Sequence, residues 1–394
     1  MPETIYLDSA ASTPIAPQAL EAMLEALHHA GNPGAAHVAG RKAADAVDRA
    51  RAEVAELLRV GAASVVFTGS ATEANNLALR GLRTDGVRTG LVTTEAEHPS
   101  VLVTVGELGH SRPTTTVPVA VTGLVDLDKL SAAISDMTAL VSIHAANNET
   151  GVVQPLEQVV ALAHDRGALV HADASQLMAW GEAQLLDECD LVTISSHKMH
   201  GPQGAAALIV KAPARDALGA QVTGGGQERG IRSGTVNVAA IAGFGAAARL
   251  ALETGPDAVK QTQALREELL DGLTTRIPDL VEHGAAVERR LPGILNVAVG
   301  TSHPDSVESE ALLARIPELA ASTGSACHSG APGPSPVLLA MGVSEWEAAR
   351  SIRLSLSRYT TAADVSRAIA VLSDGYNDLM RLLGADDSEV RYVR

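Results

Sequence analysis

The sequence predicts an α/β protein. A large domain has a mostly parallel sheet covered by helices, and a smaller α+β domain lies at the C-terminal end. Three observations predict this. Short β-rich runs alternate with stretches of helical spacing, each β-rich run ends in a cluster of polar residues, and the composition changes near residue 255, after AARLALETGP. Strands and helices alternating in one direction make a parallel sheet with both faces covered. The expected division is an N-terminal segment 1–15 packing with the small domain, a large domain 16–255 and a small domain 256–394.

In chain order, Pro14–Leu58 reads mostly as helix, with apolar residues at spacings of three and four in AADAVDRARAEVAELL. SVVFTG is a β-rich run ending at glycine, and ATEANNLALRGL after it has helical spacing. GLVTTEAEH, ALVSIHAANNETG, GALVHADASQ and CDLVTISSHK repeat the strand pattern, with helical stretches such as LEQVVALAHDRG between them. In open α/β sheets ligands bind beyond the carboxyl ends of the strands, so the polar clusters there are where chemistry is expected. Past residue 255 come a helix AVKQTQALREELLDGLTTRI, the run GILNVAVG, the small-residue stretch ASTGSACHSG and RSIRLSLSRYT.

The chain has 394 residues, of which 46% are hydrophobic and only 2% aromatic, so the core must be built from Ala, Val, Leu and Ile. With 30 basic and 46 acidic residues the net charge is −16, which argues against direct binding to nucleic acid or an anionic membrane. No apolar run approaches the roughly 20 residues of a membrane span. The opening MPETIYLDSA lacks a cationic stretch followed by an apolar one, so no secretory leader is expected. Two cysteines, Cys189 and Cys327, make no disulfide framework, and a cytoplasmic location is the expectation.

The polar clusters carry the candidate chemistry. Lys198 is one of only five lysines, and it follows the buried run CDLVTIS directly. An amine at a strand end backed by apolar residues can act as a nucleophile. Asp173, in HADASQ, lies in an apolar run where a carboxylate needs a cationic partner. A nucleophilic lysine one βαβ unit from such an acid suits pyridoxal phosphate, which needs a lysine for its aldehyde and an acid for its ring nitrogen. VVFTGSATEANN offers a strand, a short turn with Gly69 and Ser70, and a helix start at Ala71 and Thr72, an arrangement that binds anions. GGGQERGIRSGT adds glycines, Arg232 and Thr235. His98, in TEAEHPS, ends another strand, where an imidazole can stack on a ring and shuttle protons. His197 and His200 have a spacing suited to a metal, but no HExxH or CxxC supports one, and no metal is expected. Cys189, just before an apolar strand, reads as inert core.

These motifs, in this order, resemble the NifS/IscS-type cysteine desulfurases, in the class V aminotransferase group of fold type I pyridoxal phosphate enzymes. The likeness runs from IYLDSAASTP to SIRLSLSRYT through GSATEANN, NNETG, HADASQ, SSHKMHGPQG, GGGQERGIRSGT and STGSAC. The resemblance implies that Lys198 holds the cofactor and moves the substrate Cα proton. Asp173 pairs with the ring nitrogen, Gln176 bonds the phenolic oxygen and His98 stacks on the ring. Ala71, Thr72, Ser195 and His197 hold the phosphate, and Thr235 reaches the phosphate of the other subunit of a homodimer. Asn148 and Arg353 bind the carboxylate of L-cysteine, and Cys327 accepts its sulfur. It implies conversion of L-cysteine to L-alanine, with sulfur passed from Cys327 to an acceptor protein serving iron–sulfur clusters, tRNA thiolation or DNA thiolation. A loop of glycines and serines suits a thiol that must meet the substrate and then a partner. Two departures stand out: Thr150 where an aliphatic residue is common, and His328 beside the acceptor cysteine. The tail GADDSEVRYVR does not resemble the one used by members that bind iron–sulfur scaffolds. The residues also admit an aminotransferase or selenocysteine lyase on the same fold, or a non-catalytic protein that keeps it.

Overall fold

The apolar runs of the first two-thirds of the chain assemble into one seven-stranded sheet. Its order across the sheet is Val65–Thr68, Ala206–Val210, Leu191–Ser195, Leu169–Asp173, Thr138–His144, Gly90–Thr94 and Thr114–Val117. The structure is a computed structural model that describes residues 4–84, 86–284, 287, 289–301, 308–323 and 333–383. Only Ala206–Val210 runs against its neighbours, so the sheet is mostly parallel, as the alternating pattern predicts. Every residue of the strands Val65–Thr68, Gly90–Thr94, Thr138–His144, Leu191–Ser195 and Ala206–Val210 is buried, because helices cover both faces. Two strands of this sheet escape the sequence reading. Thr114–Val117 is a half-exposed edge strand of threonines, and Ala206–Val210 lies in the alanine-rich run GAAALIVK.

The helical reading of Pro14–Leu58 breaks in the middle. Two helices form, Pro17–Leu27 and Val38–Leu57, separated by a turn containing GNPGAA. Pro33 and the glycines interrupt the ladder. The chain then packs so tightly on the second helix that a Cβ at Gly31 would stand 2.3 Å from the Ala39 carbonyl oxygen. Only glycine fits there.

One helix, Val238–Arg276, passes straight through residue 255 with Pro256 inside it. Its first half contributes Ile241, Phe244, Ala247 and Ala251 to the core around the large sheet. Its second half contributes Leu265, Leu269 and Leu273 to a second core. That second core also holds Ile5 and Leu7 and one face of a four-stranded antiparallel sheet ordered Ser322–Thr323, Ser351–Ser355, Ile294–Ala298 and Val281–Glu282. Ile5–Tyr6 pairs in parallel with Leu319–Ala320, and Asp8 bridges to Ser355. By length and composition Val238–Arg276 is apolar enough to cross a membrane, a property the sequence reading missed. Its apolar side chains are those that fill the two cores.

Candidate active site

Parallel strands deliver their carboxyl ends to one edge of the sheet, and the polar clusters meet there. Leu169–Asp173 ends at Asp173, Thr138–His144 ends at His144, and Leu191–Ser195 is followed at once by the single turn Ser196–Lys198. His98 caps the helix Pro99–Leu108, and Ser70 caps Ala71–Gly81. Together Ala71, His98, Ser100, His144, Ala146, Asn148, Asp173, Ser175, Gln176 and Lys198 line one cavity.

Asp173 is buried, yet its carboxyl lies below the ordinary carboxylate value. Burial pushes it up; hydrogen bonds from Ser175 and Asn75 and the nearby His98 outweigh this. Oδ1 accepts from the Ser175 amide at 3.0 Å and from its hydroxyl at 2.6 Å, and Oδ2 accepts from Asn75 Nδ2 at 2.7 Å. Asn75 Nδ2 also donates to Ser100 Oγ at 2.8 Å, and that hydroxyl is 2.8 Å from His98 Nδ1. Nδ1 accepts from the Ser100 amide as well, at 3.1 Å, so a neutral His98 carries its proton on Nε2. A relay of hydrogen bonds thus joins the acid to the imidazole.

The other expected residues divide. Ser195 sits at a buried strand end, and its Oγ has no hydrogen-bond partner among the described residues. His197 is pushed down to about 4 by burial and then by Lys198, so it is a neutral imidazole at pH 7. Its carbonyl accepts from the Thr13 amide and hydroxyl, which straps the N-terminal segment across the lysine turn. The Ser70 hydroxyl accepts from the Glu73 amide, and the first-turn amides of Ala71 and Thr72 point out of the helix start. Gln176 Nε2 donates to the Ala10 carbonyl at 2.9 Å. Thr72, Ser195, His197, Thr235 and Arg353 do not line the cavity, and Thr72 and Thr235 are exposed. Arg232, quoted with the phosphate motif, forms an ion pair with Glu73 at 2.7 Å. It braces its loop to the helix start instead of facing the cavity.

Arg353 is almost wholly buried, and contacts to Asp8 and Asn148 help to hold its guanidinium. Nη2 pairs with Asp8 Oδ1 at 2.9 Å, and Nη1 donates to the Asn148 carbonyl at 3.1 Å. The small sheet is thereby tied to the turn that carries Asn148, which brings the two expected carboxylate binders together. Glu149, next in that turn, is buried and accepts from the Ser335 hydroxyl; burial pushes its carboxyl up to about 7. Cys327 and His328 lie outside the described residues. Cys189 is buried and its thiol is pushed up to about 12 by burial, which leaves it unreactive.

The sequence reading passed over Asn75, Ser100 and Ser175, which hold the acid and the imidazole, and Asp8, which balances Arg353. Asn75 lies one helical turn after Ala71 and so shares its face. That spacing was the available signal. Among the described residues no group of three His, Cys, Asp or Glu is placed to hold a metal ion.

The residues fit pyridoxal phosphate. A carboxylate held ionised in a buried cavity suits a protonated ring nitrogen, Lys198 lines the same cavity, and the Ser195 hydroxyl, buried with no partner among the described residues, and the helix start at Ala71 are each of a kind that suits a phosphate. The fold and this cavity are those of a class of transferase. The aminotransferase class-V family is matched over residues 5–368, and the chain belongs to that family. A relative described as cysteine desulfurase IscS from Anaeromyxobacter dehalogenans (strain 2CP-C) is 41% identical over 387 residues, covering 96% of this chain and 94% of the relative. The solved structure of a NifS-like protein aligns with a TM-score of 0.87 at 31% identity, covering 95% of this chain and all of that one. A structure described as SspA in complex with cysteine aligns with a TM-score of 0.77 at 32% identity, covering 90% of this chain and 99% of that one. Within the class-V family, the chain belongs with the cysteine desulfurases.

Proposed function

We propose that this chain is a pyridoxal phosphate-dependent cysteine desulfurase that converts L-cysteine to L-alanine and carries the sulfur as a persulfide on Cys327. The observation that carries this reading is the single cavity lined by Lys198, Asp173, His98 and Asn148, in a chain with desulfurase relatives over nearly its whole length. When bound, the cofactor supplies an electron sink for charge developing at the substrate Cα.

The protein does the rest. Asp173 offers an ionised carboxylate to the proton on the ring nitrogen, and the Asn75–Ser100–His98 relay holds the stacking imidazole at a set distance from that acid. Ser195, His197 and the first amides of the helix Ala71–Gly81 hold the phosphate. Gln176, with one N–H given to Ala10, presents the other to the phenolic oxygen. Arg353 and Asn148 hold the substrate carboxylate. The Lys198 amine takes the Cα proton, and its position on a turn directly after a buried strand keeps it in reach. The Cys327 thiolate attacks the substrate sulfur. A sulfur–sulfur bond forms as the Cβ–sulfur bond breaks, the electron pair stays with the carbon, and a proton completes the methyl group of alanine.

Beyond the cavity, the reading is a cytoplasmic homodimer in which Thr235, exposed on the loop before Val238–Arg276, reaches the phosphate of the partner subunit. The division proposed with it is 1–15, 16–255 and 256–394, with Val238–Arg276 shared between the last two. The sulfur goes to an acceptor protein of iron–sulfur assembly or of tRNA or DNA thiolation. The net charge of −16 argues against nucleic acid or membrane as a direct partner. The test is to supply the purified holoenzyme with isotopically labelled L-cysteine and no keto acid. Alanine and reducible sulfur in equal amounts support the reading. Alanine formed only when a keto acid is consumed would mark an aminotransferase.

A further inference from the structure

His144 is a second imidazole in the cavity, and no role has been assigned to it above. It ends the strand Thr138–His144 and stands in register with Asp173 on the neighbouring strand. Its Nδ1 is 2.9 Å from Glu97 Oε1, and the two side chains are 6% and 0% exposed. Its Nε2 is 3.1 Å from Gln154 Nε2.

The neighbours of Gln154 decide where the proton sits. Gln154 Oε1 accepts from the Val125 amide at 2.9 Å, and Gln154 Nε2 donates to the Gly123 carbonyl at 2.8 Å. The amide therefore cannot be turned round, and it points an N–H at His144 Nε2. That nitrogen must be the acceptor, so Nδ1 carries the ring proton and gives it to Glu97. Burial disfavours a charge on the ring, while Glu97 and Asp173 outweigh burial and raise its basicity. The proton count consequently rests on Gln154, because a second ring proton would meet its N–H head-on.

Glu97 is the residue before His98. Its Oε1 also accepts from Thr94 Oγ1 at 2.7 Å, so the carboxylate closes the turn 94–98 on itself. A second tie, from Asn147 Nδ2 to the Ala96 carbonyl at 3.2 Å, holds the same turn. His98 leaves from the end of this clamped segment.

We propose that His144, held as the neutral Nδ1–H tautomer between Gln154 and Glu97, is a positioning residue that fixes the turn carrying His98 and so sets how the imidazole lies against the cofactor ring. This inference rests on the reading of the cavity as a pyridoxal phosphate site. Glu97 transmits the constraint and His144 anchors it to the strand that flanks Asp173. The contact that matters is the Nδ1 side of the ring, toward Glu97, and the Nε2 side serves to choose the tautomer.

The experiment uses the full chain stripped of cofactor and titrated with pyridoxal phosphate, read by visible circular dichroism and by affinity. His144→Asn keeps a donor where Nδ1 stands, whereas His144→Gln places its amide near Nε2. Glu97→Gln removes the charge that receives the proton. Loss of a buried charge-assisted hydrogen bond is expected to weaken cofactor binding about tenfold and reduce the visible dichroic band in Glu97→Gln and His144→Gln. His144→Asn should stay within about twofold of the unaltered chain on the same scale. A purely structural role would lower the melting temperature and leave the dichroic band per bound cofactor unchanged, which would overturn the proposal. So would His144→Gln binding as tightly as His144→Asn. Ring-nitrogen NMR of the cofactor-free, unaltered chain gives a check that needs no variant to fold: one proton, on Nδ1, is expected, and a proton on Nε2 would overturn the assignment. If the unaltered chain takes up no pyridoxal phosphate, the functional reading fails, and the ring-nitrogen measurement still decides this one.

Discussion

Replacing Asp173 by asparagine should separate the fold from the chemistry. The substitution keeps the shape and removes the charge. The new amide keeps an oxygen at the Oδ1 position, where it still accepts from the Ser175 amide and hydroxyl. Its NH2 group then faces Asn75 Nδ2, donor against donor, across the 2.7 Å now spanned by a hydrogen bond. Asn75 Oδ1 is buried without a partner among the described residues, so a flip of the Asn75 amide presents an acceptor and relieves the clash. The flip reverses the relay: Ser100 Oγ then donates to Asn75 and gives up His98 Nδ1. The cost to the fold is about one rearranged hydrogen bond, roughly 1 kcal/mol. The cost to catalysis is larger, because a buried cationic ring nitrogen loses its carboxylate partner, a loss of about 3–5 kcal/mol. That corresponds to a fall in kcat/KM of roughly 2 × 10²- to 5 × 10³-fold. The assay is alanine formation from L-cysteine at saturating cofactor, with thermal unfolding of the same samples. Asp173→Asn that keeps more than about a tenth of the activity would refute the pairing of acid and ring nitrogen, since a loss that small is worth only about 1.4 kcal/mol. A loss of activity matched by gross unfolding would refute the separation argued from Ser175 and Asn75.

Three further outcomes are expected. Lys198→Ala should abolish both the visible cofactor band and alanine formation, because among the described residues no other lysine lines the cavity; absorbance spectra before and after borohydride treatment check it. Glu149→Gln should stabilise the protein at pH 8 by up to about 3 kcal/mol and do little at pH 4. Its carboxyl has a folded value of about 7 against 4.5 unfolded, so the unfolded chain releases its proton first, and stability falls as pH rises between those values. Chemical denaturation at the two pH values checks it. Phe244→Ala should cost about 3–5 kcal/mol, because the ring is fully buried and meets Phe67 edge to face in a core with few aromatics. Denaturant midpoints measure it.

The fold was legible where the sequence alternates cleanly. The runs SVVFTG, GLVTTEAEH, ALVSIHAANNETG, GALVHADASQ and CDLVTISSHK each hold a strand of the large sheet. Ala206–Val210 was not legible, since a run of three alanines carries little β-propensity and becomes a strand only by pairing with neighbours on both sides. The helix Val238–Arg276 hid a boundary, because the composition shifts halfway along an element that the backbone continues through Pro256. At the site, Lys198, Asp173 and His98, read from the strand-end clusters, line one cavity with Asn148 and Gln176, which the family resemblance implied. The residues that hold them were hidden for a different reason. Asn75, Ser100 and Asp8 are ordinary polar residues whose roles depend on partners 98, 25 and 345 positions away. The ion pair of Arg232 with Glu73 was hidden for the same reason, as it spans 159 positions.

The central claim is that sulfur leaves L-cysteine as a persulfide on Cys327, and intact-protein mass spectrometry tests it most directly. Holoenzyme treated with one equivalent of L-cysteine should gain the mass of one sulfur atom, about 32 Da by the chemistry of a cysteine persulfide, mapped by peptide analysis to Cys327 and removed by dithiothreitol. Cys327→Ser should take up cofactor normally and gain no such mass. A persulfide on Cys189, or alanine released at the normal rate by Cys327→Ser, would contradict the account.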